Sequence, residues 1–363
     1  MNTDGRVYFI GAGASKQDRF PLTNELKHGI AWAILNDQSR FKLLAHHLQY
    51  LYYVSDETVE KSANIWESLG EQASDPQAGR CQIPDVTDLL STLDWIIREQ
   101  SSFGPGLHAG DSKSSSPIDE LSEVRDLVVQ ALCCSLAVYH ELHPACTTGE
   151  FIKLIRPEDS LITTNWDLLL DAARHKTFGS KPEDYGTAGN VDLEPDATST
   201  NVDSTGKRPK LLKLHGSLSW RYCQRCQYLV IDPLRHVAGD RLKECLCKYK
   251  YSELIVTPGF VREYRNVHLL TIWREALLKL VESSHWIFIG YSLPADDVGI
   301  RTLLLKARCI RNDMKLKRPR VTIVTGLRRG EETRARYQGI FPDPELFKGN
   351  FGDFVEQKGG GVL

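Results

Sequence analysis

No apolar run in this 363-residue sequence approaches the roughly 20 residues of a membrane-spanning helix. Charge of one sign is also missing. The 45 Lys and Arg against 47 Asp and Glu leave a net charge of −2, so no global field recruits nucleic acid or a membrane surface. The opening MNTDGRVYFIGAG has no apolar core behind a basic start, which argues against a secretory leader. A disulfide framework is absent too: the nine cysteines are an odd number, and Cys81, Cys133, Cys134, Cys146 and Cys309 are scattered. That usage favours a reducing, cytoplasmic compartment. What remains is an ordinary globular composition, 41% apolar and 25% charged, long enough for one large domain with insertions.

The richest stretch is 211–226, LLKLHGSLSWRYCQRC. Leu211, Leu212 and Leu214 make a short apolar strand. His215, Gly216 and Ser217 end it with a titratable ring, a residue without a side chain and a hydroxyl. Cys223 and Cys226 then open a metal knuckle, which Cys245 and Cys247 close. CxxC, eighteen intervening residues and CxC resemble zinc-ribbon spacing with one residue fewer in the second knuckle. Zinc there would add roughly 10–16 kcal/mol of folding free energy to a segment with little apolar core. Four protein ligands leave no open position, so the expected zinc is structural. The alternative is four unliganded thiols in a loop.

Arg6 to Ile10, RVYFI, is a β-branched and aromatic run that stops at Gly11-Ala12-Gly13-Ala14-Ser15. Leu22, Leu26, Ile30, Ala33 and Ile34 then recur near a helical period. Strand, glycine turn and helix can point backbone N–H groups at a phosphate, with Ser15 as a further donor. Lys16 stands where a third glycine would be, and such turns also serve as mere tight connections. Leu161 to Asp167, LITTNWD, is a second strand end, carrying Asn165 and Asp167. Asp167 could cap the following helix or belong to a site. Strands are expected near 6–10, 161–164, 211–214, 254–257, 286–289 and 320–324, with helices between many of them. This alternation argues a doubly wound parallel sheet with the motifs at 11–15, 163–167, 215–217 and 290–292 along one edge.

Residues 36–150 read as a helical insertion that declares no chemistry. Val86, Leu89, Leu90 and Leu93 form one stripe, with Asp85 as its expected N-cap; Val124, Leu127, Val128, Ala131 and Leu132 form another. The aromatics at 50–53 read as helix packing, and 101–117 as a Gly/Ser/Pro-rich loop. Residues 179–210 are a long polar loop with an ordered piece expected near Tyr185 and Gly186. Between 306 and 320, seven basic residues face one acid, Asp313. That reads as a solvated helix face and loop, with a docking surface for an acidic partner as the alternative.

Together the glycine loop, Thr164-Asn165-Trp166-Asp167, His215-Gly216, the four later cysteines and Gly290-Tyr291-Ser292 resemble the sirtuin family. The likeness covers 6–35 and about 151–325. It implies an α/β fold: a doubly wound, Rossmann-like parallel sheet with a large helical insertion and a small zinc-ribbon module. The implied division is an NAD-binding domain at 1–35 and 151–330, a helical insertion at 36–150, a zinc module at 218–253 and a C-terminal tail at 331–363. By the same likeness Gly11, Ala12, Gly13, Ser15, Thr164, Gly290 and Ser292 would surround NAD. Asn165 would face the nicotinamide ribose, His215 would be the base and Asp167 would orient its neighbours.

The departures point to a subtype. Deacetylating sirtuins carry a Gly-Ile-Pro-Asp-Phe-Arg-like segment where this chain has KQDRFPLT at 16–23. Their Phe-Gly-Glu-like strand, which pairs with the acyl-lysine peptide, is replaced by TPGFVRE at 257–263. Their Gly-Thr-Ser is Gly290-Tyr291-Ser292. The pattern resembles the sirtuin-like proteins of bacterial antiphage systems, which hydrolyse NAD, some of them in large assemblies with a separate ATPase or translocase partner. That likeness implies NAD hydrolysis and a homo-oligomer; the alternatives are an NAD-dependent deacylase and a non-catalytic sensor of NAD or ADP-ribose.

Overall fold

Strand β1, Val7–Ile10, has four apolar or aromatic residues in a row, and all four are buried. A strand without polar alternation must be covered on both faces, which places it at the centre of a parallel sheet. The computed structural model describes residues 5–69, 83–99, 117–142, 146–194, 206–236, 244–257, 266–326 and 330–359. In it β1 lies between β2 (Ser160–Thr163) and β8 (His285–Ile289). Beyond β2 comes β4 (Lys210–Lys213); beyond β8 come β9 (Arg320–Val324) and β10 (Glu345–Leu346). All five pairings are parallel. Taken by order of appearance, the sheet runs third, second, first, fourth, fifth, sixth. The order reverses between β1 and β8, and in open α/β sheets ligands bind at the carboxyl ends of the strands beside such a reversal.

The expected strand at 254–257 is not in this sheet. Its residues fall largely in β7 (Ser252–Ile255), which pairs antiparallel with β5 (Gly216–Tyr222). With β6 (Leu229–Ile231) and β3 (Val191–Leu193) these form a second sheet, ordered β3-β6-β5-β7. The sixth parallel strand is β10, whose two residues are too few to show a period.

Aromatic residues from beyond residue 330, together with Phe151, cover both faces of the main sheet. Trp286 and Phe288 on one face meet Phe341 and, from α11 (Gly330–Gln338), Tyr337. Tyr8, on the opposite face, meets Phe151 of α7 (Thr147–Lys153), which meets Phe351 of α12 (Phe351–Gly359). Residues 330–359 are therefore built into the core rather than trailing from it, because Tyr337, Phe341, Phe351 and Phe354 supply aromatic cover that the sheet needs.

A second apolar core holds the helical body: α2 (Leu26–Asn36), α3 (Lys42–Tyr52), α4 (Asp56–Ser68), α5 (Val86–Arg98) and α6 (Pro117–Leu142). This body begins with α2, earlier than residue 36, since Ile30, Ala31, Ala33 and Ile34 join its core. It also takes in Leu168, Leu169 and Leu218, which brings it against the strand ends. Two local readings are corrected. Tyr50 and Tyr53 are exposed, Tyr53 by 85%, because Tyr53 ends α3 in a left-handed turn; Tyr52 alone of that group packs on the core. Asp85 stands at the N-cap of α5, but its carboxylate reaches Lys27 at 2.9 Å. The 101–116 part of the Gly/Ser/Pro-rich loop and the 258–263 part of the altered peptide segment lie outside the described residues. The expected ordered piece near Tyr185 is a short 3-10 turn, Pro182–Tyr185, with Tyr185 fully buried. Between 306 and 320 the basic residues are not all solvated. Arg311 is buried and donates to the carbonyls of Val281, Ser283 and Lys317.

Candidate active site

The two glycine motifs meet each other. Gly11 N–H donates to Ile289 O and Gly13 N–H to Gly290 O, both at 2.9 Å. A Cβ on Gly13 would sit 2.8 Å from Gly290 O, and one on Gly290 would sit 2.0 Å from Ala14 N. Gly290 also has a φ of +62°, which side chains disfavour. The glycines thus let the exits of β1 and β8 interlock at the reversal point. The helix after Gly11 is only α1 (Ala12–Ser15). A 3-10 turn, Lys16–Asp18, follows, and the periodic helix begins at Leu26. Lys16, in the place of a third glycine, pairs with Glu25 at 2.8 Å across this gap.

Ser15 is the hub of the polar cluster. Its Oγ donates to Asp167 Oδ2 at 2.9 Å and accepts from Asn165 Nδ2 at 2.9 Å. That pattern orients the Asn165 amide and leaves Oδ1 as its acceptor for a ligand. Asn165 is held from behind as well. Its N–H donates to Thr163 Oγ1, which itself donates to Ile10 O. Asp167 does both things open to it: Oδ1 accepts the Leu169 N–H at the start of α8 (Leu169–Phe178) while Oδ2 serves Ser15.

His215 follows β4 and is 9% exposed, as is Asn165. Its carbonyl accepts the Val256 N–H at 2.8 Å. The next residue, Gly216, has a φ of +74°, and a Cβ there would fall 1.9 Å from Leu254 O. Only glycine lets β5 leave the site this close to β7. A cavity of about 710 Å³ opens over these strand ends. It is lined by Ala12, Gly13, Ser15, Thr164, Asn165, Asp167, His215, Gly290 and Ser292. Of the expected residues only Gly11 stands back from it, spacing the loops behind the lining.

Apart from the cavity, the four sulfurs of Cys223, Cys226, Cys245 and Cys247 lie within 4.8 Å of one another. Cys223 and Cys247 Sγ are 3.5 Å apart, and Cys226 and Cys245 Sγ 3.4 Å. Tetrahedral zinc–thiolate bonds of about 2.3 Å would set sulfurs about 3.8 Å apart, so the cluster fits zinc. The two knuckles share a turn despite their different spacing. Gln227 and Lys248 both have φ near +60° and donate to the carbonyls of Cys223 and Cys245 at 2.8 Å.

The family model described as a SIR2-like domain matches residues 159–340. The chain belongs to the SIR2-like family. Solved structures similar to it include a Sir2 homologue variant with ADP-ribose, at 12% identity over 98% of this chain and 91% of that one, TM-score 0.45. A Sir2 homologue–NAD complex is similar at 12% identity over 98% and 88%, TM-score 0.45. Sir2 bound to an acetylated peptide is similar at 13% identity over 99% and 94%, TM-score 0.40. No curated protein matches the chain.

In this SIR2-like chain the cavity also has walls that motif reading did not supply. Thr87 and Leu136 come from the helical body, and Asn350 and Phe351 from the last helix and the turn before it. Asp296 and Asp297 follow the Gly290 motif at the start of α10 (Val298–Asp313), where Asp297 accepts from Ile300 N–H. Tyr291, in the threonine position of the deacetylating pattern, donates to Asp297 Oδ2 at 2.5 Å and packs at a tilt against the Phe9 ring.

Proposed function

We propose that this SIR2-like chain hydrolyses NAD at the nicotinamide–ribose bond, releasing nicotinamide and ADP-ribose, and that it does so in antiphage defence. The observation that carries the proposal is the convergence of Asn165, Asp167, Ser15 and His215 on one cavity at the sheet's reversal point. Gly13, Gly290 and Ser292 would hold the diphosphate and ribose. Departure of nicotinamide leaves an oxocarbenium-like ribose, as in glycoside cleavage. Asn165 Oδ1 would accept from the attacking water or a ribose hydroxyl. His215 would take the proton that water gives up as its oxygen bonds to the anomeric carbon.

The deacylase reading needs a free strand edge for an acyl-lysine peptide. Among the described residues β7 is the last strand of its sheet, and the bonds at its end run inward, towards the site's own elements. Val256 donates its N–H to His215 O and accepts from Trp166 Nε1, and Arg125 reaches Thr257 Oγ1. The peptide arm of the test below therefore decides between water and a peptide as co-substrate. The helical body and the 306–320 segment are the surfaces proposed for self-association or for an ATPase partner. A further expectation is that the zinc module is structural. Incubating the purified chain with NAD, alone and with an acyl-lysine peptide, tests the reading. Nicotinamide and ADP-ribose without peptide support it; product that requires the peptide and carries its acyl group overturns it.

A further inference from the structure

Below the cavity lies an ion pair that the proposed chemistry does not use. Lys213, the last residue of β4, places Nζ 2.6 Å from Asp171 Oδ2 on α8. The two side chains are 1% and 0% exposed. Nζ also donates to the backbone carbonyl of Asp167 at 2.5 Å. The first α8 bond goes to Leu168 O from Ala172 N–H, so the Asp167 carbonyl is outside the helix ladder and is held by Lys213. Asp171 Oδ1 is buried without a hydrogen bond. Moving two such ions out of water is costly, and an apolar pair of similar volume is often as stable. Stability alone is a poor reason for this pair. The third contact supplies a better one, because an apolar pair could not grip a carbonyl.

We propose that Lys213 and Asp171 are positioning residues: their pair ties the Asp167 turn to β4 and so fixes Asn165 and Asp167 relative to His215, two residues past Lys213. As a statement about catalysis this rests on the NAD hydrolase reading. Asp171 orients the ammonium, and the ammonium holds the Asp167 carbonyl. The Asp167 carboxylate is thereby held on Ser15, and Ser15 on Asn165. A shift of about 1 Å in such a chain is enough to lose about 100-fold in rate.

The test compares the full wild-type chain with Lys213→Met/Asp171→Leu and with Asp171→Asn. Melting temperature, zinc content, kcat and KM for NAD are measured, together with amide hydrogen exchange at 165–169. The apolar double variant leaves no unpaired charge and is expected to keep its melting temperature and its zinc. Its kcat should fall by about 30-fold or more with KM within about 3-fold, and exchange at 165–169 should quicken by about 10-fold. Asp171→Asn keeps an acceptor for Lys213 and should stay within about 5-fold of wild-type kcat. A folded double variant with wild-type kcat and wild-type exchange overturns the proposal. Should the double variant not fold, Asp171→Asn decides: if it is folded yet shows the full kcat loss while its 165–169 exchange stays wild-type, the proposal is overturned. A wild type that releases no nicotinamide in any state counts against the hydrolase reading alone, and the exchange at 165–169 then decides the positioning role.

Discussion

Ser15 and Asp167, 152 residues apart in sequence, share a 2.9 Å hydrogen bond at the point where the sheet reverses its order. Because Ser15 spends its proton on the carboxylate, it can only accept from Asn165. One hydroxyl therefore sets the orientation of the amide that faces the cavity. Ser15→Ala removes both bonds and frees that amide to rotate. The expected outcome is a kcat lower by about 10- to 100-fold with the fold and zinc retained, read by NAD turnover and thermal melting. Wild-type turnover in Ser15→Ala would mean that the amide is held in another way.

His215→Ala should lose more. A positioned general base typically contributes about 10²–10⁴-fold, and Asn165→Ala should be comparably impaired if it holds the water. Neither residue belongs to the cysteine cluster, so both variants should fold and keep zinc. Wild type and variants are compared at equal concentration with NAD, with nicotinamide and ADP-ribose quantified by chromatography. Equal release by wild type and His215→Ala would remove the role assigned to the histidine.

The residues whose chemistry is local were legible in the sequence. A strand that stops at Gly11, a strand end carrying Asn165 and Asp167, and a histidine before Gly216 announce themselves by residue type and by the break in apolar runs. The structure brings them to one edge because parallel strands put all their carboxyl ends on one side. What depends on non-local packing was not legible. The glycines read as room for a phosphate, whereas Gly13 and Gly290 also need that room for each other. Strand β10 has two residues and no period, and the cover supplied by Tyr337 and Phe351 depends on where the chain returns. Lys213 is one polar residue in an apolar strand, and only its neighbours in space explain its burial.

Removal of zinc should unfold the small module before the main sheet. The core around the cysteines is slight, with Val230 and Tyr251 as its other buried members. Zinc would carry much of that segment's folding free energy, on the order of 10 kcal/mol. One zinc per chain is expected by metal analysis. A chelator should expose all four thiols to a thiol reagent while the far-ultraviolet signal of the helical body is largely kept. Folded protein with a zinc content near zero would sink this expectation.

Stability should fall on mild acidification, and the helical body gives the reason. His28 on α2 is buried, and its Nδ1 lies 2.7 Å from Ser62 Oγ on α4. Burial, with a smaller push from Lys27, lowers its pKa from the usual 6.5 to about 4. The unfolded chain therefore binds a proton below about pH 6.5 that the folded chain refuses until about pH 4. Between these limits the unfolded state is favoured, so the contribution is fully present above the unfolded pKa and is lost as pH falls towards the folded one. The loss is on the order of 2 kcal/mol for this one group. His285, lowered to about 4 mainly by burial, acts in the same direction. His28→Gln keeps a polar partner for Ser62 but cannot take up the proton. Denaturant unfolding at pH 7 and at pH 5 should therefore show a smaller stability difference in His28→Gln than in wild type. An unchanged difference would assign the acid sensitivity to other groups.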